Sequence, residues 1–303
     1  MTVLVTGGSG FIGSRLQFHR PDWVYVSSKD YNLFDKEAVE RMFKEVKPTS
    51  VVHLAARVGG IKDNSTHQVE YFEQNVLMNI NVLRGAYEAR VTRLLAALST
   101  CAFPDVVEEY PFTEEDIFNG PCAQTNFAYG YSKRLLHALV LAYRDQHGLN
   151  YNTFSPSNVY GPGDNFDDDT SHFVPALIRK VSQLKDGDTL ELWGTGRPLR
   201  QQLYVEDLCD IIPLLLTRHH GTEPVIVAPY ENLSIDEMAK TLISQLNIDV
   251  KIVYNNQLEG QYRKDGINKL LLQTIGDYKF TSFDSGIKQT YNWYCPPGGV
   301  KNG

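Results

Sequence analysis

Two periods alternate along the first half of the chain. TVLV (2–5), WVYVSS (23–28), SVVHLAA (50–56) and RLLAALST (93–100) are short apolar runs rich in β-branched residues, as expected of buried strands. Between them, KEAVERMFKEV (36–46) and VEYFEQNVLMNINVLRGAYEA (69–89) repeat apolar residues at helical spacing, and SRLQFHR (14–20) does so more briefly. FAYGYSKRLLHALVLAYRDQHG (127–148) predicts a further long helix with Gly148 as its stop, followed by a strand in YNTFSPSNVYG (151–161). Strand alternating with helix implies parallel strands joined by helical crossovers.

The second half is less regular. It predicts a helix near 172–184, strands in LELWG (190–194) and PVIVAP (224–229), a helix over 234–246, a strand over 250–254 and a last helix near 286–294. No internal repeat and no low-complexity linker interrupts the chain. The pattern therefore predicts an α/β protein: a Rossmann-type, doubly wound parallel sheet with a smaller α/β substrate-binding region toward the C-terminus. The division expected is 1–160 and 198–223 for the dinucleotide part, and 161–197 and 224–303 for the substrate part.

Composition narrows the class. The 303 residues include 29 basic and 36 acidic side chains, a net charge of -7, which argues against a general nucleic-acid binder. No apolar run approaches the ~18 residues of a membrane span. The four cysteines, Cys101, Cys122, Cys209 and Cys295, show neither CxxC pairing nor zinc-ligand spacing, so no metal is expected and a reducing compartment is. The N-terminal MTVLVTGGSGFIG lacks the charged region of a signal peptide. These features predict a soluble, cytoplasmic protein.

Candidate chemistry begins at TGGSGFIG. Gly7, Gly10 and Gly13 stand three apart directly after the first strand, where glycine permits a tight turn and a close backbone approach to a pyrophosphate. The following helix, opening with Phe11 and Ile12, offers free N–H groups and its positive dipole end to phosphates. An acidic residue closing the second strand would hold a ribose 2′-hydroxyl. Here the strand ends Ser27-Ser28-Lys29, and Lys29 suits the 2′-phosphate of NADP(H), although Asp30 follows and Lys29 could equally be a solvated turn residue.

Tyr129 and Lys133 are four apart in the long helix and so share a face. A lysine there is expected to lower the tyrosine pKa, making the phenol a proton donor or acceptor near neutral pH. Tyr131 has no lysine four residues on. Ser99, at the end of the fourth strand, can hydrogen-bond the same substrate oxygen. With the strand extended, Cys101 would face the same side as Ser99 and Thr100 the other. A ketone reductase needs no thiol, so Cys101 suggests a further proton transfer, with His172 as its counterpart: a thiol and an imidazole on opposite faces of a sugar epimerise a carbon beside a carbonyl. A buried cysteine as a small hydrophobe and a histidine as a helix cap are the structural alternatives.

The glycine turn, the strand-end serine and the YxxxK pair, in this order, resemble the extended short-chain dehydrogenase/reductase superfamily. More specific blocks resemble the GDP-L-fucose synthase family: HLAARVGGI (53–61), STCAFP (99–104), TNFAYGYSK (125–133), PSNVYGPGDNF (156–166), SHFVPALIRK (171–180) and WGTGRPLRQQLYVEDL (193–208). The resemblance runs from residue 2 to about residue 295. It implies an enzyme that epimerises a GDP-4-keto-6-deoxymannose at C3 and C5 and then reduces C4 with NADPH. By this resemblance Ser99, Tyr129 and Lys133 act in reduction, Cys101 as epimerase base and His172 as its acid. It also implies substrate contacts from Arg200 to the diphosphate, from Trp193, from Lys180 and from Lys264, and places Asn158 near the nicotinamide.

Two departures stand out: a short first helix between Gly13 and Trp23, and Gln257-Leu-Glu-Gly in place of the family's Lys-x-Asp-Gly. Related enzymes imply a homodimer through two long helices per subunit. Competing readings are a reductase without epimerisation, a UDP-sugar epimerase holding NAD, and a non-catalytic dinucleotide sensor.

Overall fold

In the computed structural model, which describes residues 2–168, 170–246, 248–255, 261–296 and 301–302, the apolar runs of the first half become one parallel sheet. Its strands are β1 (Val3–Thr6), β2 (Val24–Val26), β3 (Ser50–His53), β4 (Arg93–Ala97), β5 (Asn150–Pro156) and a sixth, Val225–Val227. They lie in the order β2-β1-β3-β4-β5-(225–227), and every pairing is parallel. The expected fold class is thus observed. Strand Val225–Val227 departs from the expected division: it pairs with β5 in the main sheet instead of joining the substrate part.

The helices of the first half are α1 (Phe11–His19), α2 (Lys36–Val46), α3 (Ile61–Thr66), α4 (Gln68–Glu88) and α5 (Phe127–His147). Helix α2 starts on Asp35, whose carboxylate accepts from the Glu37 N–H, and α5 stops at Gly148, which has φ +65°. Successive strand residues point to opposite faces, so each strand feeds two cores. Leu4, Val51, Leu94 and Tyr151 pack with Phe43 of α2, Val82 of α4 and Leu136 of α5. Val3, Val5, Val52 and Phe154 pack on the other side with Leu16 of α1 and Leu208 of α7 (Val205–Arg218), which follows α6 (Phe173–Val181) in the chain. Apolar runs without alternation are what this two-sided burial requires.

A third core belongs to the C-terminal region. It joins α6, the strand Thr189–Leu192, α8 (Ile235–Leu246) and α10 (Phe283–Tyr294), which follows α9 (Lys269–Ile275). Short strand pairs support it: Thr189–Leu192 runs parallel to Lys251–Tyr254, Leu199–Arg200 antiparallel to Leu233–Ser234, and Asn158–Tyr160 parallel to Gln202–Tyr204. The Gln257–Gly260 substitution lies outside the described residues. Among the described residues no helix is long and apolar enough to cross a membrane.

The chain runs from β1 outward to β2 and then returns to the other side of β1 at β3. Such a reversal opens a crevice beyond the carboxyl ends of the two strands, the usual ligand position in open α/β sheets.

Candidate active site

The glycine turn lies at that crevice. Gly7 has φ +78°, and a Cβ there would come within 2.7 Å of the Ala55 backbone nitrogen, just after β3. A Cβ on Gly13 would lie 2.2 Å from the Gly7 carbonyl oxygen, so α1 reaches this close only with glycine at that position. Gly10 caps α1 without a side chain, and the first turn carries no acidic residue. The N–H groups of Phe11, Ile12 and Gly13 precede the first helical bond, from the Ser14 N–H to the Gly10 carbonyl, and have no backbone acceptor among the described residues, which suits an anion. The nine residues of α1 match the short helix expected.

Beyond β2, Lys29 and Asp30 differ in how they are engaged. The Asp30 carboxylate accepts the Ser27 N–H at 2.8 Å and its hydroxyl at 2.7 Å, which lowers its pKa and closes the turn. Lys29 is exposed and has no ion pair among the described residues. A bare helix start with a free cation beyond the second strand fits a dinucleotide carrying an extra phosphate.

Ser99 and Cys101 do come together, but not along an extended strand. The chain leaves β4 at Ala97, and Thr100–Ala102 forms a 3-10 turn with Ser99 as its N-cap. The Cys101 N–H donates back to Ser99 Oγ at 3.2 Å. A tight turn, not strand alternation, sets the two side chains. A Cβ on Gly130 would lie 2.4 Å from the Cys101 carbonyl oxygen, so α5 packs directly on this turn.

Helix α5 delivers Tyr129 and Lys133, both buried. Lys133 Nζ donates to the Ala97 carbonyl at 2.8 Å and lies 5.8 Å from the Tyr129 ring centre. Burial pushes Lys133 down to about 8. Burial also raises the Tyr129 phenol above its ordinary value; the nearby Cys101 adds to the rise, and the hydrogen bond with Ser99 opposes it. This corrects the expected fall: the lysine is engaged by a backbone carbonyl, and loss of hydration dominates the phenol. The phenol is therefore held protonated, the state that gives a proton to a carbonyl oxygen under reduction. Tyr71 of α4 meets the Tyr129 ring edge-on at 6.3 Å and donates to Asp63 at 2.5 Å. That bond anchors the VGGI turn, since a Cβ on Gly59 would strike the Tyr71 oxygen at 2.3 Å.

Cys101 Sγ receives two donors. Asn126 Nδ2 lies at 2.8 Å, from the turn before α5, and Lys264 Nζ at 3.2 Å, from a segment 163 residues away. Arg200 is close enough for its charge to interact with Cys101; burial lowers its pKa, and Nη1 donates to the Leu199 carbonyl at 2.7 Å. Ser99, Cys101, Tyr129, Lys133, Lys264 and Arg200 thus form one cluster, five of them drawn from the sequence motifs and Lys264 from far outside them. Asn126 escaped notice although it lies in TNFAYGYSK, because an asparagine three residues before a tyrosine carries no pattern of its own.

His172 caps α6 and leaves its side chain uncommitted to the helix. His172 is exposed at the head of α6, and desolvation by the surrounding protein lowers its pKa. The VGGI turn links it to the cluster: a Cβ on Gly60 would lie 3.7 Å from the Ser171 carbonyl oxygen, and α3 ties to the 124–126 turn through a Ser65 Oγ bond to the Thr125 carbonyl. No hydrogen bond joins His172 to Ser99, Cys101 or Tyr129 among the described residues. Asn158 is exposed at the start of its short strand beyond β5. Lys180 and Trp193 form a separate pair, with Nζ 6.0 Å from the indole centre and the tryptophan 60% exposed.

Residues 3–228 match the model of the NAD dependent epimerase/dehydratase family. The chain belongs to this family. Within it, the chain is similar to the GDP-L-fucose synthase of Dictyostelium discoideum, 35% identical over 304 residues that cover 97% of this chain and 95% of the relative. The GDP-L-fucose synthase of Escherichia coli K12 is 28% identical over 309 residues, 96% of each chain. Among solved structures, a GDP-L-fucose synthetase from Naegleria fowleri bound to NADP superposes with a TM-score of 0.90 at 32% identity, covering 99% of this chain and 95% of that one.

Proposed function

We propose that the protein is a GDP-L-fucose synthase that epimerises GDP-4-keto-6-deoxy-D-mannose at C3 and C5 and then reduces C4 with NADPH to give GDP-L-fucose. The observation that carries this reading is Cys101: its sulfur lies beside the Ser99–Tyr129–Lys133 group and takes hydrogen bonds from Asn126 and Lys264. Two donors address the sulfur as an acceptor, which is what abstraction of a proton from carbon requires and what a plain reductase does not need.

In the epimerisation, Cys101 Sγ takes the proton from the carbon beside the C4 ketone. The C–H electron pair moves to the carbonyl oxygen, and the Ser99 and Tyr129 hydroxyls stabilise the charge developing there. His172 then returns a proton to the opposite face of that carbon. Exchange with solvent resets thiol and imidazole for the second carbon.

When bound, NADPH supplies the hydride that reduces C4. The free N–H groups at the start of α1 and Lys29 would hold its phosphates, with Asn158 near the nicotinamide. Tyr129 gives its proton to the C4 oxygen, and Lys133 keeps the local field favourable to the phenolate left behind. Arg200 supports the reading as the cation for the sugar-linked diphosphate, and the Lys180–Trp193 pair as a platform for the nucleotide end. The reading extends to a cytoplasmic homodimer. The apolar groove between α4 and α5, lined by Val76, Ile80, Leu135 and Leu139, supports the second copy, whose mass sedimentation velocity reads directly.

The test is incubation of the protein with GDP-4-keto-6-deoxymannose and NADPH in heavy water. GDP-L-fucose carrying deuterium at C3 and C5 is the expected product. An unlabelled GDP-6-deoxyhexose of unchanged configuration would leave a reductase and remove the epimerase. No NADPH consumption would remove both.

A further inference from the structure

We propose that Lys264 and Asn126 are positioning residues for Cys101, holding its sulfur as a hydrogen-bond acceptor so that it enters epimerisation as the proton-taking group. This rests on the epimerase reading above and assigns Lys264 a task other than contact with substrate.

The segment that carries Lys264 is fixed on three sides. The Gly266 N–H donates to Gln201 Oε1 at 2.9 Å, and Gln201 Nε2 donates to the Gly266 carbonyl at 3.1 Å. The Asp265 carbonyl accepts the Phe112 N–H at 2.9 Å, while its carboxylate pairs with Arg263 at 2.5 Å. A Cβ on Gly266 would press to 2.8 Å of the Phe112 ring, so this backbone does not tolerate displacement. Gln201 thus ties the Lys264 segment to the strand residue Arg200. Lys264 itself is half-buried and has no carboxylate partner among the described residues. Its charge is directed at sulfur.

Asn126 serves both states of the sulfur. Its Nδ2–H₂ donates to Sγ as observed. Its Oδ1 is buried with no partner among the described residues, so a half-turn of the amide offers an acceptor to the S–H formed once the proton has been taken. In that orientation the newly formed S–H has an acceptor within reach. The other titratable groups facing Cys101 are Arg200 and Tyr129, which interact with its charge, and the buried Cys122 behind it, whose thiol burial pushes up to about 11. Of the two cations, only Lys264 touches the sulfur.

The experiment uses the full chain and the variants Lys264→Met, Lys264→Arg and Asn126→Ala. The first readout needs no substrate: iodoacetamide labelling at pH 7, with each cysteine followed by peptide mass spectrometry. Lys264→Met is expected to label Cys101 about tenfold more slowly, the scale of one charged hydrogen bond, with Lys264→Arg recovering most of the rate and Cys295 unchanged as the internal standard. Asn126→Ala is expected to slow Cys101 by a smaller factor.

The second readout is turnover in heavy water. Lys264→Met should lower the rate of deuterium entry at saturating substrate by about tenfold and raise the share of reduced but unepimerised product. Equal labelling of Cys101 in parent and Lys264→Met overturns the proposal. So does a variant that raises KM alone while deuterium entry at saturation is unchanged, the result a pure substrate contact gives. If the parent itself neither exchanges nor reduces, the functional reading falls, and the labelling ratio alone decides the role of Lys264 and Asn126.

Discussion

The dinucleotide crevice and the thiol cluster are built by opposite means. The crevice is made of backbone: a contiguous stretch in which Gly7 and Gly13 allow strand, turn and helix to approach more closely than any Cβ permits. The cluster is made of side chains from four places: the 99–101 turn, the 126–133 region, Arg200 and Lys264. A backbone site fails all at once when a single atom is added to it. A side-chain site can lose one function and keep another, because its groups do not all act on one atom: Asn126 and Lys264 address the Cys101 sulfur, while Lys133 bonds the Ala97 carbonyl.

The largest effect should come from breaking the backbone site. In Gly13→Val the new Cβ would lie 2.2 Å from a main-chain oxygen that has no rotamer by which to yield. Loss of measurable NADPH binding by fluorescence titration is expected, with a stability loss on the order of 3 kcal/mol in denaturant unfolding. A variant that folds and binds NADPH like the parent would refute the close-approach argument.

The side-chain site should divide more finely. Tyr129→Phe removes one oxygen and preserves the ring that Tyr71 packs against edge-on. Reduction is expected to fall by roughly 10²–10⁴, the range of one general acid, while NADPH binding stays within about twofold of the parent and deuterium still enters the substrate from heavy water. Equal loss of exchange and reduction would mean that the two halves of the reaction are not separable at this residue.

The same contrast explains what the sequence made legible. The fold was readable because two-sided burial leaves unbroken apolar strands, and the glycine turn because its residues are contiguous. YxxxK was readable because helical geometry alone puts Tyr129 and Lys133 on one face. The reading of Ser99 and Cys101 assumed an extended chain, where a 3-10 turn brings the Cys101 N–H back to Ser99 Oγ. The direction of the Tyr129 shift was not legible because burial, a tertiary fact, is its largest cause. The bond between Lys264 and Cys101 spans 163 residues, a separation at which no local period operates. Asn126 was hidden differently: it lies within TNFAYGYSK but donates to a sulfur 25 residues earlier in the chain.

The smallest effect tests the outer edge of the backbone site, where it ends in one exposed side chain. With Asp30 folded back onto Ser27, Lys29 is the charge left to meet a 2′-phosphate. Lys29→Ala is expected to lower the preference for NADPH over NADH, measured as the ratio of kcat/KM values, by about three- to tenfold, since a single exposed cation contributes little more. The loss should lie in the NADPH value, with NADH nearly unchanged, and should shrink as salt is raised because the contact is open to screening. A ratio that does not move would transfer the discrimination to other groups around the crevice and make Lys29 an ordinary solvated turn residue.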